Sequence, residues 1–168
     1  MTTNVDRKYL EIKSIKDLIE VNKPSKECKI DLVDPPDFQL NRFFYKQIGK
    51  KHRWIDRLLW TDKEWINYIN NPNVKTYILK EKKELVGYFE QIINFDNLEC
   101  EIAYFGILEN YFNRNYGGFL LSEAIKKSFI LGTKRVWVHT CSLDHKHALK
   151  NYLSRGMKIF KSETITVN

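Results

Sequence analysis

An apolar strand pattern, Glu101-Ile-Ala-Tyr-Phe-Gly-Ile107, runs into a loop ending Arg114-Asn-Tyr-Gly-Gly118. A helical repeat of Leu120, Leu121, Ala124, Ile125, Ser128 and Leu131 follows and stops at Gly132. A strand that turns through glycines into a helix start builds an anion site. The first-turn N–H groups have no intrahelical acceptor, and the positive end of the helix dipole adds to their pull on a polyanion. Glycines remove the Cβ atoms that would hold a pyrophosphate off the backbone, so a nucleotide-like cofactor is expected here. Gly-x-x-x-x-Gly-Lys-Ser/Thr and Gly-x-Gly-x-x-Gly are both absent, which sets aside the P-loop and the dinucleotide fingerprint.

Upstream, the period is two. Val74 to Lys80, Leu85 to Phe95 and Glu99 to Leu108 read as an antiparallel meander with turns at Glu81-Lys-Lys83 and Asp96-Asn97. In the third strand, strict alternation puts Glu101, Ala103, Phe105 and Ile107 on one face and Ile102, Tyr104, Gly106 and Leu108 on the other, with Gly106 marking a bulge or a close backbone approach. Before the meander, Tyr9 to Lys13 reads as a short strand and Ser14 as the cap of a brief helix through Glu20. Cys28 to Val33 reads as the first core strand, stopped by Asp34-Pro-Pro36. A helix carries Phe38, Phe43, Phe44 and Ile48 and ends at Gly49. A second starts at Thr61, with Glu64 completing a capping box and Trp65, Ile66 and Ile69 inward. After the glycine-rich loop and its helix come a strand, Arg135 to Thr140, a helix from about Asp144 to Ser154, and two short strands, Met157 to Lys161 and Thr164 to Val167.

At 168 residues and 43% hydrophobic, the chain has the length for one well-buried domain. No apolar run reaches a membrane span and the start is polar, so a cytoplasmic protein is expected. Three cysteines without close spacing speak against a disulfide framework or zinc knuckle. The net charge of +7 attracts acidic partners, but the basic residues are scattered in clusters no larger than Lys80 to Lys83, with no arginine-rich stripe for nucleic acid.

The loop resembles motif A of the GNAT superfamily of acetyl-coenzyme A-dependent N-acetyltransferases, Gln/Arg-x-x-Gly-x-Gly/Ala. Phe112 stands at the usual Gln/Arg and Asn115 at the first Gly, while Arg114, Tyr116, Gly117 and Gly118 fit. Asn tolerates a left-handed backbone better than other residues with a side chain. Ala148-x-x-x-Tyr152-x-x-x-Gly156-Met157 is similar to motif B, with His145 at the usual Asn and its neighbour Asp144 as the alternative cap. The resemblance implies an α/β GNAT acyltransferase fold, a mixed, mostly antiparallel central sheet flanked by helices. It implies a coenzyme pyrophosphate at Asn113, Arg114, Asn115, Tyr116, Gly117 and Gly118. The pantetheine arm would pair with Phe105, Gly106, Ile107 and Leu108 in a gap between strands and meet Asp144, His145 and Ala148.

On that resemblance the reaction moves an acetyl group from acetyl-CoA directly to a primary amine, whose identity stays open among small molecules, protein N-termini and lysines. Glu101 is the candidate base, desolvated by apolar strand neighbours, and Tyr152 the candidate acid for the leaving thiolate. An N–H of Ile107 or Leu108 would polarise the acetyl carbonyl. His52-Arg-Trp54 and Trp60 belong to a segment that forms the acceptor wall in this superfamily. No metal is expected: His145 and His147, two apart on a helix, point different ways, and Cys141 and His139 add no ligand spacing. The competing readings are a non-catalytic acyl-CoA-binding module and a nucleic-acid-binding protein.

Overall fold

The computed structural model describes residues 1–167. Strands β1 (Thr3–Ile12) and β2 (Cys28–Leu32) precede helices α1 (Phe38–Gly49) and α2 (Asp62–Ile69). The meander β3 (Val74–Glu81), β4 (Glu84–Asn94) and β5 (Glu99–Ile107) follows, then α3 (Tyr116–Ile130), β6 (Arg135–Cys141), α4 (Ala148–Ser154) and β7 (Lys158–Val167). All seven strands form one sheet in the order β2-β3-β4-β5-β6-β1-β7. Among the described residues only β5 and β6 run parallel. This is the mixed, mostly antiparallel architecture expected, because the tight turns of the meander force antiparallel neighbours and the α3 crossover returns β6 parallel to β5. Among the described residues no helix is long and apolar enough to cross a membrane.

One face of the sheet packs on α3. Leu79, Phe89, Ile102, Ile107, Val136 and Val138 meet Phe119, Leu120, Leu121, Ala124 and Ile125 there. The other face is covered by α1, whose Phe44 stacks on Tyr88 with ring centroids 4.8 Å apart. Helix α2 begins as expected at Thr61, which accepts from the Glu64 N–H while Glu64 reaches back to the Thr61 N–H. Between these helices and the sheet lies a buried polar knot. Glu90 accepts from Arg57 at 3.0 Å, Tyr68 at 2.7 Å and Asn41 at 2.9 Å. The Arg57 guanidinium lies 4.1 Å from the ring centroids of both Tyr68 and Tyr104. Full satisfaction of that carboxylate is what makes its burial tolerable, since either ion left alone would cost several kcal/mol.

The sequence expectations need correction in five places. Strand β1 begins at Thr3 instead of Tyr9, because it is gripped on both sides, by β6 and by β7. That makes β1 the first core strand. Strand β2 lies at the sheet edge, paired to β3 alone, with Cys28 buried but Leu32 41% exposed. The two expected C-terminal strands are one, β7, since Ser162 and Glu163 stay in register opposite Lys8 and Arg7 instead of turning. Phe43 of α1 is exposed, and Tyr45 takes its place in the core. Helix α4 starts at Ala148 with His147 as its N-cap, and not near Asp144.

Candidate active site

The site is made by two strands that separate. Strands β5 and β6 pair at Glu99↔Arg135, Cys100↔Val136 and Glu101↔Trp137, and no further. The cause lies within β5. Where Glu90 and Gln91 of β4 are consecutive, their partners are Tyr104 and Ile102, so Ala103 has no partner of its own on β4. This bulge bends the strand and inverts the alternation beyond it. Glu101 therefore shares a face with Tyr104 and Gly106, not with Ala103, Phe105 and Ile107 as strict alternation predicts, and Ile102 joins Phe105 and Ile107 against α3. Gly106 marks no bulge but a close approach: a Cβ there would lie 2.6 Å from Ile48 of α1.

The opening is a cleft of about 1050 Å³ that runs from Glu101 past Phe105 and Ile107 to the start of α3. Leu108 donates its N–H to the Val86 carbonyl at 2.8 Å, which removes it as a donor to a ligand. The alternation of an antiparallel ladder then turns the Ile107 N–H away from β4, toward the gap. The loop reaches α3 through two left-handed residues, Asn113 (φ +63°) and Asn115 (φ +66°). Asn115 is the N-cap of α3, yet its side chain makes no capping bond, so the first-turn N–H groups of a 15-residue helix face the cleft without a side-chain acceptor. Arg114 is exposed, lies over the Tyr111 ring and does not line the cleft. Tyr116 contributes backbone; its side chain is buried in the core.

The glycines play a different part from the one expected. The missing Cβ of Gly117 faces Asn151 of α4, 3.6 Å from Nδ2, and that of Gly118 would lie 2.4 Å from Arg155. Gly118 is the one that the close approach requires, while at Gly117 the contact is ordinary and Asn151 donates to its carbonyl at 3.1 Å. Asn151 and Arg155 line the cleft and went unread in the sequence, where motif B drew attention to Ala148 and Tyr152.

Asp144 does not cap α4. It accepts from the Thr140 hydroxyl at 2.5 Å and the Cys141 N–H at 3.1 Å, closing the turn after β6. His145 sits between the rings of Phe112 (4.8 Å) and His52 (6.0 Å), and His52 in turn contacts the Leu143 carbonyl at 3.1 Å. Asp144, His145 and Ala148 all line the cleft, as do His52, Arg53 and Trp54. Trp60 does not; it packs on Trp65 and Tyr68. Among the described residues no group of three or more His, Cys, Asp or Glu is placed to hold a metal ion.

Several ionisable groups that line the cleft have altered proton affinities. Burial raises the Glu101 carboxyl above the usual carboxylate range, partly offset by the charge of Arg57. Its neighbour His139, 3.9 Å away, is pushed down by burial and by the charge of Arg7, which favours the neutral ring. Tyr152 is 8% exposed, and burial followed by the Asp144 charge drives its phenol well above the usual value. Among the described residues its hydroxyl has no hydrogen-bond partner, and its ring centroid lies 6.4 Å from that of Phe105. A carboxylate able to take a proton thus opens on the same cleft as a phenol that keeps one.

A model of the Acetyltransferase (GNAT) family matches residues 37–157. Among solved structures, a GCN5-related N-acetyltransferase from Sphaerobacter thermophilus superposes with a TM-score of 0.72 at 14% identity, over 96% of this chain and 50% of that one. An acetyltransferase from Bacillus subtilis in complex with CoA gives 0.60 at 19% identity, over 80% and 78% of the two chains. Of curated proteins, Ycf2 from Olimarabidopsis pumila is 20% identical over 147 residues, 88% of this chain, which spans only 6% of that protein's length.

Proposed function

Because the chain belongs to the acetyltransferase (GNAT) family, we propose that it binds acetyl-CoA and passes the acetyl group directly to a primary amine. The observation that carries this reading is the separation of β5 from β6 just after Glu101, beside a helix start that no side chain caps. A ligand with an amide-bearing arm and a pyrophosphate fits that shape. The arm would lie along Phe105, Gly106 and Ile107, and the phosphates at the loop from Asn113 to Gly118. Acetyl-CoA would supply the activated thioester. Glu101 would accept a proton from the acceptor ammonium, directly or through a water, so that the amine nitrogen can form the C–N bond. Tyr152 would give its proton to the sulfur as the C–S bond breaks, and the Ile107 N–H would hold the carbonyl oxygen.

Neutral His139 beside Glu101 suits this role, because a charged imidazolium there would lower the carboxylate's basicity. The convergence of Glu101 and Tyr152 on one cleft favours catalysis over a non-catalytic acyl-CoA-binding module. A concave, partly apolar site also suits a small cosubstrate better than a nucleic acid duplex.

Coenzyme A at about a hundred times its Kd is expected to stabilise the protein by about 2.7 kcal/mol, visible as a melting shift of several degrees. Gly117→Glu tests the assignment cleanly. A Cβ there would meet Asn151 Nδ2 at an ordinary 3.6 Å, and an acidic residue in the first helical turn favours the fold, yet its carboxylate would repel phosphate. The variant is expected to fold and to lose the shift; a folded variant with an undiminished shift would exclude the loop as the pyrophosphate site.

A further inference from the structure

Arg155, the residue just past α4, carries a charge with no counterion. It makes no ion pair and no side-chain hydrogen bond among the described residues, and its buried Nε has no partner. Burial alone depresses its proton affinity, and no acid compensates. Its Nη1 occupies the space that a Cβ on Gly118 would take. The guanidinium therefore sits against the first turn of α3, at the positive end of the helix dipole. An arginine stays charged at any ordinary pH, and a partly buried cation beside a second positive field is unfavourable on both counts. The arrangement becomes favourable once an anion lies between them. Lys150, also on the cleft wall and without an ion pair among the described residues, adds a further positive group to the cleft.

We propose that Arg155 is a phosphate-binding residue, which closes the α3–α4 side of the cleft on a phosphate of the cosubstrate's nucleotide half. This rests on the coenzyme reading above for the identity of the ligand, but not for the phosphate chemistry. A guanidinium fork matches two phosphate oxygens, whereas the backbone loop alone offers single N–H donors. The geometry also gives Gly118 a reason of its own. A Cβ at that position would lie 2.4 Å from Arg155 Nη1 and 2.9 Å from Val21, so the second glycine of the loop makes room for the cation as well as for Val21.

The test compares wild type with Arg155→Met, which keeps most of the side-chain stem and removes the charge. Titration calorimetry with coenzyme A, 3′-dephospho-coenzyme A and adenosine 3′-phosphate 5′-diphosphate gives three readouts. The Met variant is expected to be at least as stable without ligand, to bind coenzyme A roughly tenfold more weakly, and to show a shallower salt dependence. Arg155→Lys should recover part of the loss. An equal loss for dephospho-coenzyme A places the arginine on the pyrophosphate; no loss for that ligand places it on the 3′-phosphate. Binding of the free nucleotide that weakens in the Met variant, without binding of coenzyme A to wild type, would uphold the phosphate assignment and remove the coenzyme reading. Unchanged coenzyme A affinity and salt slope in a folded Met variant would overturn the proposal, and a loss of ligand-free stability with intact affinity would make Arg155 structural.

Discussion

Tyr152→Phe is expected to lower turnover by roughly ten- to a thousandfold while leaving coenzyme affinity nearly intact. The substitution removes one oxygen and little volume, and the hydroxyl it removes has no hydrogen-bond partner among the described residues, so folding loses nothing that the structure shows it to make. The phenol opens on the cleft and makes no hydrogen bond among the described residues, so the Phe variant should melt close to wild type. The rate should suffer because the departing thiolate loses its proton donor. Burial and the Asp144 charge both hold the Tyr152 proton in place at neutral pH, so the donor form is present throughout the working range. An acceptor-independent defect in single-turnover acetyl transfer, with an unchanged Kd for coenzyme A, is the pattern to look for. Wild-type turnover in the Phe variant would reduce Tyr152 to a packing residue.

Glu101→Gln should cost more, roughly a hundred- to ten-thousandfold at the acidic end of the profile, and less as the pH rises. Gln keeps the shape of the side chain but accepts no proton at neutral pH. In wild type the rate should climb as Glu101 ionises, with that limb above the usual carboxylate range because burial raises the carboxyl. In the Gln variant the limb should shift toward the pKa of the acceptor amine, because in alkali the nucleophile is already neutral. Stability offers a second reading of the same residue. A carboxyl whose folded-state pKa is raised supports the fold while protonated and loses that support as the pH rises through its folded pKa. Glu101→Gln should therefore stabilise the protein at pH 7, with the gain shrinking as the pH falls toward the ordinary carboxylate value. A pH–rate profile that overlays wild type, together with this stability gain, would leave Glu101 a desolvated carboxylate without a catalytic part.

The local signals in the chain were legible because they act over a few residues. The Thr61–Glu64 capping box, the period-two meander, the left-handed tolerance of Asn115 and the glycine stop after α3 all appear where the spacing placed them. So does the cleft, which is lined by Glu101, Tyr152 and most of the residues that the two motifs singled out. What misled was strict alternation in β5. A bulge adds a residue to the hydrogen-bond ladder without altering the apolar pattern, so nothing in Glu101 to Ile107 announces that Glu101 and Ile102 exchange faces relative to Phe105.

By itself the sequence determined the family, the order of elements and the side chains available for acid, base and phosphate chemistry, since each depends on residue type and short spacing. Tertiary structure alone decided which of them meet. Arg57 and Glu90 are 33 residues apart and pair only because the chain between α1 and α2 folds over β4. The Leu108 N–H is lost to Val86 across a ladder. Arg155 reaches the start of α3 only because Gly118 has no Cβ in its way. Contacts between distant segments cost loop-closure entropy and are repaid by burial of the whole sheet, so their partners are set by the packed fold and leave no mark in the spacing of residues along the chain.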